Sequence, residues 1–289
     1  MTGTLYVVGT PIGNLSDFSP RAVETLEAVD FIAAEDTRVT LKLLNHFGVK
    51  KPLVSYFEHN KRDHGEKILA RLEAGENCAL VSDAGMPAIS DPGETLVAAC
   101  AQAGVAQCAE RGIPVLVVPG PSAVVSALAI SGLPTGRFTF EGFLSVNKKS
   151  RRDHLDEVKD ERRTMIFYEA PHKLYATLRD MLDAWGDRRI AIVRELTKIH
   201  EEVIRTTLSE AVQRSKDDPF KGEIVLVIEG ATAPAAEAYT LEEAVALAKE
   251  KLEQGLAPSE AAKQAAAESG LAKRDIYRAI LHDGGGADD

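Results

Sequence analysis

The sequence predicts an α/β protein with two halves and a small helical unit after them. Three observations point there. Short apolar, β-branched runs alternate with helical patterns from Leu5 to Val118, the signature of a doubly wound, mainly parallel sheet. A second set of runs follows, and the step from Arg194 to Thr207 leaves no room for a crossover helix. An antiparallel pair, and so a mixed second sheet, is expected there. Alanine-rich Ala231–Ala238, with Pro234, then reads as a linker into three closely spaced helix signals.

The first strand candidate, Leu5–Val8, stops at a turn containing Gly9, Pro11 and Gly13. A helix signal follows, with Ser19 as cap, Pro20 at the first helical position, and Ala22, Val23, Leu26 and Val29 as its apolar stripe. Further strands are expected over Phe31–Ala34, Leu53–Tyr56, Ala79–Ser82 and Val115–Val118, with helices opening near Thr37, Lys61 and Gly93. Val117–Ala123, with Pro119, Gly120 and Pro121, reads as a hinge, which places domain boundaries at 1–119, 120–231 and 239–283. The second half carries strand candidates Phe138–Glu141, Thr164–Tyr168, Ile190–Arg194, Val203–Thr207 and Ile224–Glu229, and helices over Lys148–Asp160 and Pro171–Trp185. Leu241–Leu252, Ser259–Ala267 and Lys273–Leu281 complete the helices, with Gly255 and Gly270 at the stops. They resemble a helix-turn-helix; a three-helix cap on the main body is the plainer alternative. The glycine- and aspartate-rich tail from Asp283 is expected to be disordered.

Composition narrows the function. The 289 residues are 45% apolar and carry a net charge of -10, so long-range attraction to polyanions is absent and nucleic-acid binding would need a local basic patch. No apolar run approaches the roughly 18–20 residues that span a bilayer, and no signal peptide is evident, so a cytoplasmic protein is expected. Cys78, Cys100 and Cys108 are odd in number and lack metal-ligand spacing, which fits reduced thiols and no metal centre.

Several strand ends carry unusual loops. The first is not the dinucleotide fingerprint, because Gly-x-Gly-x-x-Gly is absent, and no Gly-Lys-Ser/Thr marks a P-loop. Pro11 also removes an amide that a phosphate cradle would use. Val81–Gly93 packs two glycines, two prolines and two aspartates beyond a strand, and Asp83 could accept from a ribose hydroxyl or an amine. Asp83 and Asp91 could instead only cap turns. Pro119-Gly-Pro-Ser-Ala123 opens a helix whose amides suit a carboxylate or a base edge. Glu35, in Ala34-Glu-Asp-Thr-Arg38, falls where a Rossmann protein puts its ribose carboxylate; the alternative has Asp36 or Thr37 capping a helix and Glu35 pairing with Arg38. His59 is a candidate base or a surface histidine. Lys148-Lys-Ser-Arg-Arg152 is the densest basic run, a phosphate patch or a solvated helix start.

Taken in order, Gly-Thr-Pro-Ile-Gly-Asn-Leu (9–15), Glu-Asp-Thr-Arg (35–38), Ser-Asp-Ala-Gly-Met-Pro-x-Ile-Ser-Asp-Pro-Gly (82–93), Pro-Gly-Pro-Ser-Ala (119–123), Phe-Glu-Gly-Phe-Leu (140–144), Phe-Tyr-Glu-Ala-Pro-His (167–172) and Arg-Glu-Leu-Thr-Lys (194–198) closely resemble the ribosomal RNA small subunit methyltransferase I family, within the tetrapyrrole methylase superfamily. The resemblance runs from Leu5 to about Leu281. It implies a two-domain tetrapyrrole-methylase-like fold and a homodimer. The implied activity uses S-adenosylmethionine, held between the domains, to methylate the ribose 2'-hydroxyl of a decoding-centre cytidine in 16S rRNA of the small subunit. Carried over by motif, Pro11, Asp83, Gly85, Met86, Ser122, Ala123, Tyr168, Leu196 and Ile224 would border the cofactor. Glu35 moves to the substrate side, with Asp36 and His59 as further candidates for a base. Arg38, Lys148, Lys149, Arg151 and Arg152 would meet RNA. One departure stands out: Ser145 replaces the proline that usually follows Phe-Glu-Gly-Phe-Leu. Methyl transfer from a sulfonium is an in-line displacement that needs no metal, and much of its rate can come from positioning. Two rivals remain, a methylase of a tetrapyrrole precursor and a non-catalytic RNA- or nucleotide-binding module.

Overall fold

The computed structural model describes residues 1–106, 112–232 and 239–283, with the backbone alone for 102–106 and 283. Cys108, most of the expected linker and the tail beyond Asp283 lie outside the described residues. The chain divides into two compact units, Met1–Ala231 and Thr232–Asp289.

In the first unit, β1 (Leu5–Val8), β2 (Phe31–Ala34), β3 (Leu53–Ser55), β4 (Cys78–Val81) and β5 (Val115–Val118) form an all-parallel sheet in the order β3-β2-β4-β1-β5. Helices α1 (Pro20–Ala28), α2 (Thr37–Phe47), α3 (Lys61–Glu73) and α4 (Gly93–Ala106) alternate with the strands. One face packs Ala22, Leu26 and Leu44 on the sheet, the other Ile68, Leu72, Leu96 and Cys100. Burial on both faces explains why β2 and β4 are apolar at every position. Ser19 caps α1 by accepting from Ala22 N, with Pro20 inside the first turn, as the sequence predicts. Burial pushes the Cys78 thiol up to about 12 and the Cys100 thiol up to about 11, so both are inert.

The second sheet takes β6 (Phe138–Phe143), β7 (Thr164–Glu169), β8 (Arg189–Arg194), β9 (Glu202–Thr207) and β10 (Ile224–Ile228) in the order β6-β7-β10-β8-β9. Only β6 and β7 pair in parallel; β8 and β9 form the expected antiparallel pair. Helix α5 (Ala123–Ser131) covers one face, and α6 (Lys148–Glu157), α7 (Pro171–Trp185) and α8 (Leu208–Asp217) the other. The sequence pattern did not reveal α8, because its buried stripe is only Leu208, Ala211 and Ser215, two of them small.

The second unit is α9 (Leu241–Glu253), α10 (Pro258–Ser269) and α11 (Lys273–Asp283) around Ala244, Val245, Ala248, Ala262, Ala265, Ile276 and Ile280. Small side chains let these helices approach closely. Thr240 and Glu243 form a reciprocal capping box at the start of α9, and Gly270, at φ +71, ends α10.

Candidate active site

Three adjacent strands of the parallel sheet, β4, β1 and β5, end at one edge, and their loops are laced together there. Thr10 N donates to Gly85 O (2.9 Å), Gly85 N returns a bond to Thr10 O (3.1 Å), and the Thr10 hydroxyl donates to Ser82 O (3.2 Å). Gly9 and Gly120 press backbone to backbone. A Cβ on Gly9 would sit 2.7 Å from Gly120 Cα and 2.7 Å from Met86 Sδ, so neither position tolerates a side chain without movement. Gly120 N also points at Met86 Sδ (3.3 Å).

This edge faces the second sheet across a cavity of ≈ 400 Å³. The first sheet contributes Ile12, Glu35, Gly85, Met86, Ile89 and Asp91; the second half contributes Ser122, Ala123, Phe143, Tyr168, Leu196 and Ile224, among others. Two helix N-termini open on it without side-chain caps. Ser122 and Ala123 start α5, and Ala170 and Pro171 start α7. At α7 that end is already occupied, since Ala170 N donates to Glu169 Oε1 (2.8 Å) and Pro171 has no N–H, so the start of α5 is the end that suits an anionic group. Across the wall, burial first, then the charges of Asp83, Asp91 and Asp36, hold the Glu35 carboxyl above its usual 4.5. The mostly apolar cavity thus offers carboxylates for a cation and helix amides for a carboxylate, which fits the sulfonium amino acid of S-adenosylmethionine.

The floor is shaped by strained backbone. Glu195 (φ +51) and Thr197 (φ +66) are left-handed without being glycine. Glu195 Oε1 accepts from Glu223 N (2.9 Å) and Lys198 Nζ (2.9 Å). It lies where a Cβ on Gly222 would be, and Gly222 itself takes φ +88, a backbone conformation that favours glycine. Burial pushes the Tyr168 hydroxyl up, offset in part by a hydrogen bond from the Val124 backbone, which ties β7 to α5.

Seven of the nine expected cofactor contacts line the cavity: Gly85, Met86, Ser122, Ala123, Tyr168, Leu196 and Ile224. Pro11 does not, although its neighbour Ile12 does. Asp83 is also off the wall. It is exposed, and its carboxylate accepts from Asp36 N (3.0 Å), tying the β4 loop to the β2 loop. Among the base candidates only Glu35 is on the wall. Asp36 caps α2 by accepting from Arg38 N (2.8 Å) and pairs with the Arg38 guanidinium; these bonds bring its carboxyl down to about 2. His59 is exposed beyond edge strand β3, beside Phe57. The basic run also divides. Lys148 and Lys149 are exposed, whereas Arg151 and Arg152 fork onto Asp180 of α7. Sequence reasoning missed Ile89, Phe143 and Gly222, because it weighed polar strand ends and passed over apolar ones, and it also passed over Glu169, the polar end of β7. No group of three or more His, Cys, Asp or Glu that could hold a metal occurs among the described residues.

Residues 4–212 match the family model of the Tetrapyrrole (Corrin/Porphyrin) Methylases. The chain is 47% identical to the Ribosomal RNA small subunit methyltransferase I of Synechocystis sp., over 96% of this chain and 98% of that one. It is 48% identical to that of Halalkalibacterium halodurans, over 97% and 95%. The chain belongs to the ribosomal RNA small subunit methyltransferase I family. Solved structures agree on the fold. The methyltransferase CobJ aligns with TM-score 0.57 at 19% identity, over 81% of this chain and 97% of CobJ. A uroporphyrin-III C-methyl transferase from Thermus thermophilus, complexed with S-adenyl homocysteine, aligns with TM-score 0.51 at 16% identity, over 78% and 92%. As a member of the family the chain is a methyltransferase that depends on S-adenosylmethionine.

Proposed function

We propose that this methyltransferase modifies 16S rRNA of the small ribosomal subunit, at the ribose 2'-hydroxyl of a decoding-centre cytidine, in the cytoplasm and as a homodimer. Residues 1–119 and 120–231 act as the two halves of the site, with 239–283 as a separate helical unit. The observation that carries the reading is Glu35, a cavity-wall carboxyl whose proton affinity is raised by burial and neighbouring acids. A ribose hydroxyl is a poor acid, and a raised carboxylate beside it is the better base. The names of the relatives support the RNA substrate.

When bound, S-adenosylmethionine supplies an electrophilic methyl group. The laced loops at Thr10, Gly85 and Gly120 fix the first wall, and the start of α5 at Ser122 and Ala123 orients an anionic group. Glu35 takes the hydroxyl proton. Asp36 and Arg38 hold the chain turn that presents Glu35, and Arg38, 87% exposed and bonded to Asp36 through Nε and Nη2, turns its outer edge toward RNA. Pro11 and Asp83 support the cofactor wall from behind rather than touching the ligand. His59, exposed and off the cavity wall, takes no part in the transfer.

The test is methyl incorporation into small subunits, naked 16S rRNA and uroporphyrinogen, the last because the family model and the solved neighbours include tetrapyrrole methylases. Glu35→Gln should lower the single-turnover rate on RNA about 10²–10⁴-fold with S-adenosylmethionine affinity retained. Incorporation into uroporphyrinogen alone would replace the RNA reading with the small-molecule one.

A further inference from the structure

Strand β6 carries one extra residue, and that residue decides where Phe143 points. Phe140 pairs with Ile166, yet Gly142 pairs with Phe167 and Phe143 with Tyr168, so Glu141 drops out of the ladder. Gly142 takes φ +66 to allow the kink. Residues three apart on a regular strand face opposite ways. The bulge instead puts Phe140 and Phe143 on the same face, flanking Tyr168 with ring centroids 4.9 and 5.3 Å away. Phe140 packs into the core of that face. Phe143 stays 58% exposed and lines the cavity.

The opposite wall presents a second apolar group. Ala88 (φ +67) and Ser90 (φ +65) are both left-handed, and Asp91 Oδ1 holds their turn by accepting from Ala88 N (2.9 Å) and Gly93 N (2.8 Å). Ile89, between them, is 52% exposed and lines the same cavity. The two walls come close here, since a Cβ on Gly142 would lie 3.4 Å from Ser90 Oγ. A few residues beyond Phe143, Lys148 and Lys149 open α6, both exposed. An exposed aromatic ring and an exposed aliphatic side chain on opposite walls of one cavity, with two exposed lysines a few residues along the chain, suit a nucleobase and its flanking phosphates.

We infer that Phe143 and Ile89 stack the base of the nucleotide being methylated, flipped out of its neighbours, while Lys148 and Lys149 take the adjoining phosphates. The inference rests on the RNA reading above and names how that substrate is held. A ribose hydroxyl cannot reach the cavity without bringing its base to the mouth, and strained backbone that exposes Ile89, together with a bulge that exposes Phe143, provides a surface for it there.

The experiment uses the full chain, small subunits lacking the methyl group, and an oligoribonucleotide with pyrrolocytosine at the methylated position. Phe143→Ala should lower kcat/KM for subunits roughly 5- to 150-fold at saturating S-adenosylmethionine, the loss of one stack of about 1–3 kcal/mol. Phe143→Trp should restore most of it, and Ile89→Ala should act in the same direction as Phe143→Ala. Pyrrolocytosine fluorescence should be quenched on binding to wild type and Phe143→Trp but not to Phe143→Ala. The thermal midpoint of each variant reports whether it folds, and half-exposed Phe143 should barely move it. An unchanged kcat/KM in Phe143→Ala overturns the stacking, as does a loss explained wholly by weaker cofactor binding. Wild type that methylates uroporphyrinogen and no RNA defeats the substrate reading itself.

Discussion

Removing the Asp180 carboxylate should cost the first unit about 3–5 kcal/mol, while removing Arg152 should cost roughly 0–1 kcal/mol. The asymmetry follows from burial. The Asp180 side chain is fully buried, Arg151 is 11% exposed and Arg152 is 48% exposed. Asp180 Oδ2 accepts from Arg151 Nε (2.9 Å) and Nη2 (2.6 Å), and Oδ1 accepts from Arg152 Nε (3.3 Å) and Nη2 (3.1 Å). Asp180→Ala therefore strands a nearly buried guanidinium, whereas Arg152→Ala leaves the carboxylate with its better partner. Burial pushes the Asp180 carboxyl up, but the Arg151 and Arg152 hydrogen bonds and charges outweigh it and hold it below 3.8. A lowered carboxyl stabilises fully above its unfolded value, so the contribution should disappear as pH falls below 3.8 and through the folded value. Trp185, the single tryptophan, lies on the same helix with its Nε1 donating to Leu155 O (2.9 Å), so its fluorescence reports unfolding of this region in urea. An Asp180→Ala loss below about 1 kcal/mol, or one no larger than that of Arg152→Ala, would refute the burial argument. One design rule comes from it: replacing the whole basic run would confound folding with RNA binding, so only Lys148 and Lys149 are clean probes.

Lys148 and Lys149 replaced by Ala should reduce the slope of log affinity against log salt by about 1.4, taking about 0.7 for each single-strand phosphate contact; an unchanged slope removes them from the interface. Gly120→Ala should destabilise by about 1–3 kcal/mol and weaken cofactor binding, because its Cβ would lie 2.9 Å from Gly9 backbone atoms; calorimetry showing wild-type behaviour in both would mean the loops yield freely. Glu35→Gln should raise the thermal midpoint at pH 7 while it lowers activity. The raised Glu35 carboxyl favours the protonated fold, so its contribution is present at low pH and lost as pH rises through the folded value. A variant no more stable than wild type at pH 7 would contradict that sign.

The alternating strands and helices of the first half were legible because the central strands β2 and β4 are buried on both faces and the elements are punctuated by residues with one conformational purpose, such as Ser19-Pro20. The strand ends were legible as a site because glycine and proline interrupt apolar runs there. What periodicity could not convey was direction. The order of residues offered Asp36 as a cap for α2, which it is, but it did not tell that Glu35 faces the cavity rather than pairing with Arg38, since both carboxylates follow the same strand. Arg151 and Arg152 read as surface charge until α7 brought Asp180 beneath them. Phe143 escaped notice because its orientation depends on a bulge, and a bulge shows only in the pairing of two strands.

Expelled from the ladder, Glu141 reaches the neighbouring helix, where its Oε2 meets His154 Nε2 at 3.1 Å. The strand that carries Phe143 and the helix that begins with Lys148 are thereby tied at both ends, by the short connection between them and by this pair. In RNA the distance from a base to its own phosphate is set by covalent bonds. On the proposed reading, a segment that carries both the aromatic ring and the two lysines sets the span between base and phosphate that the protein accepts, so a nucleotide is chosen by its length as well as by its edge.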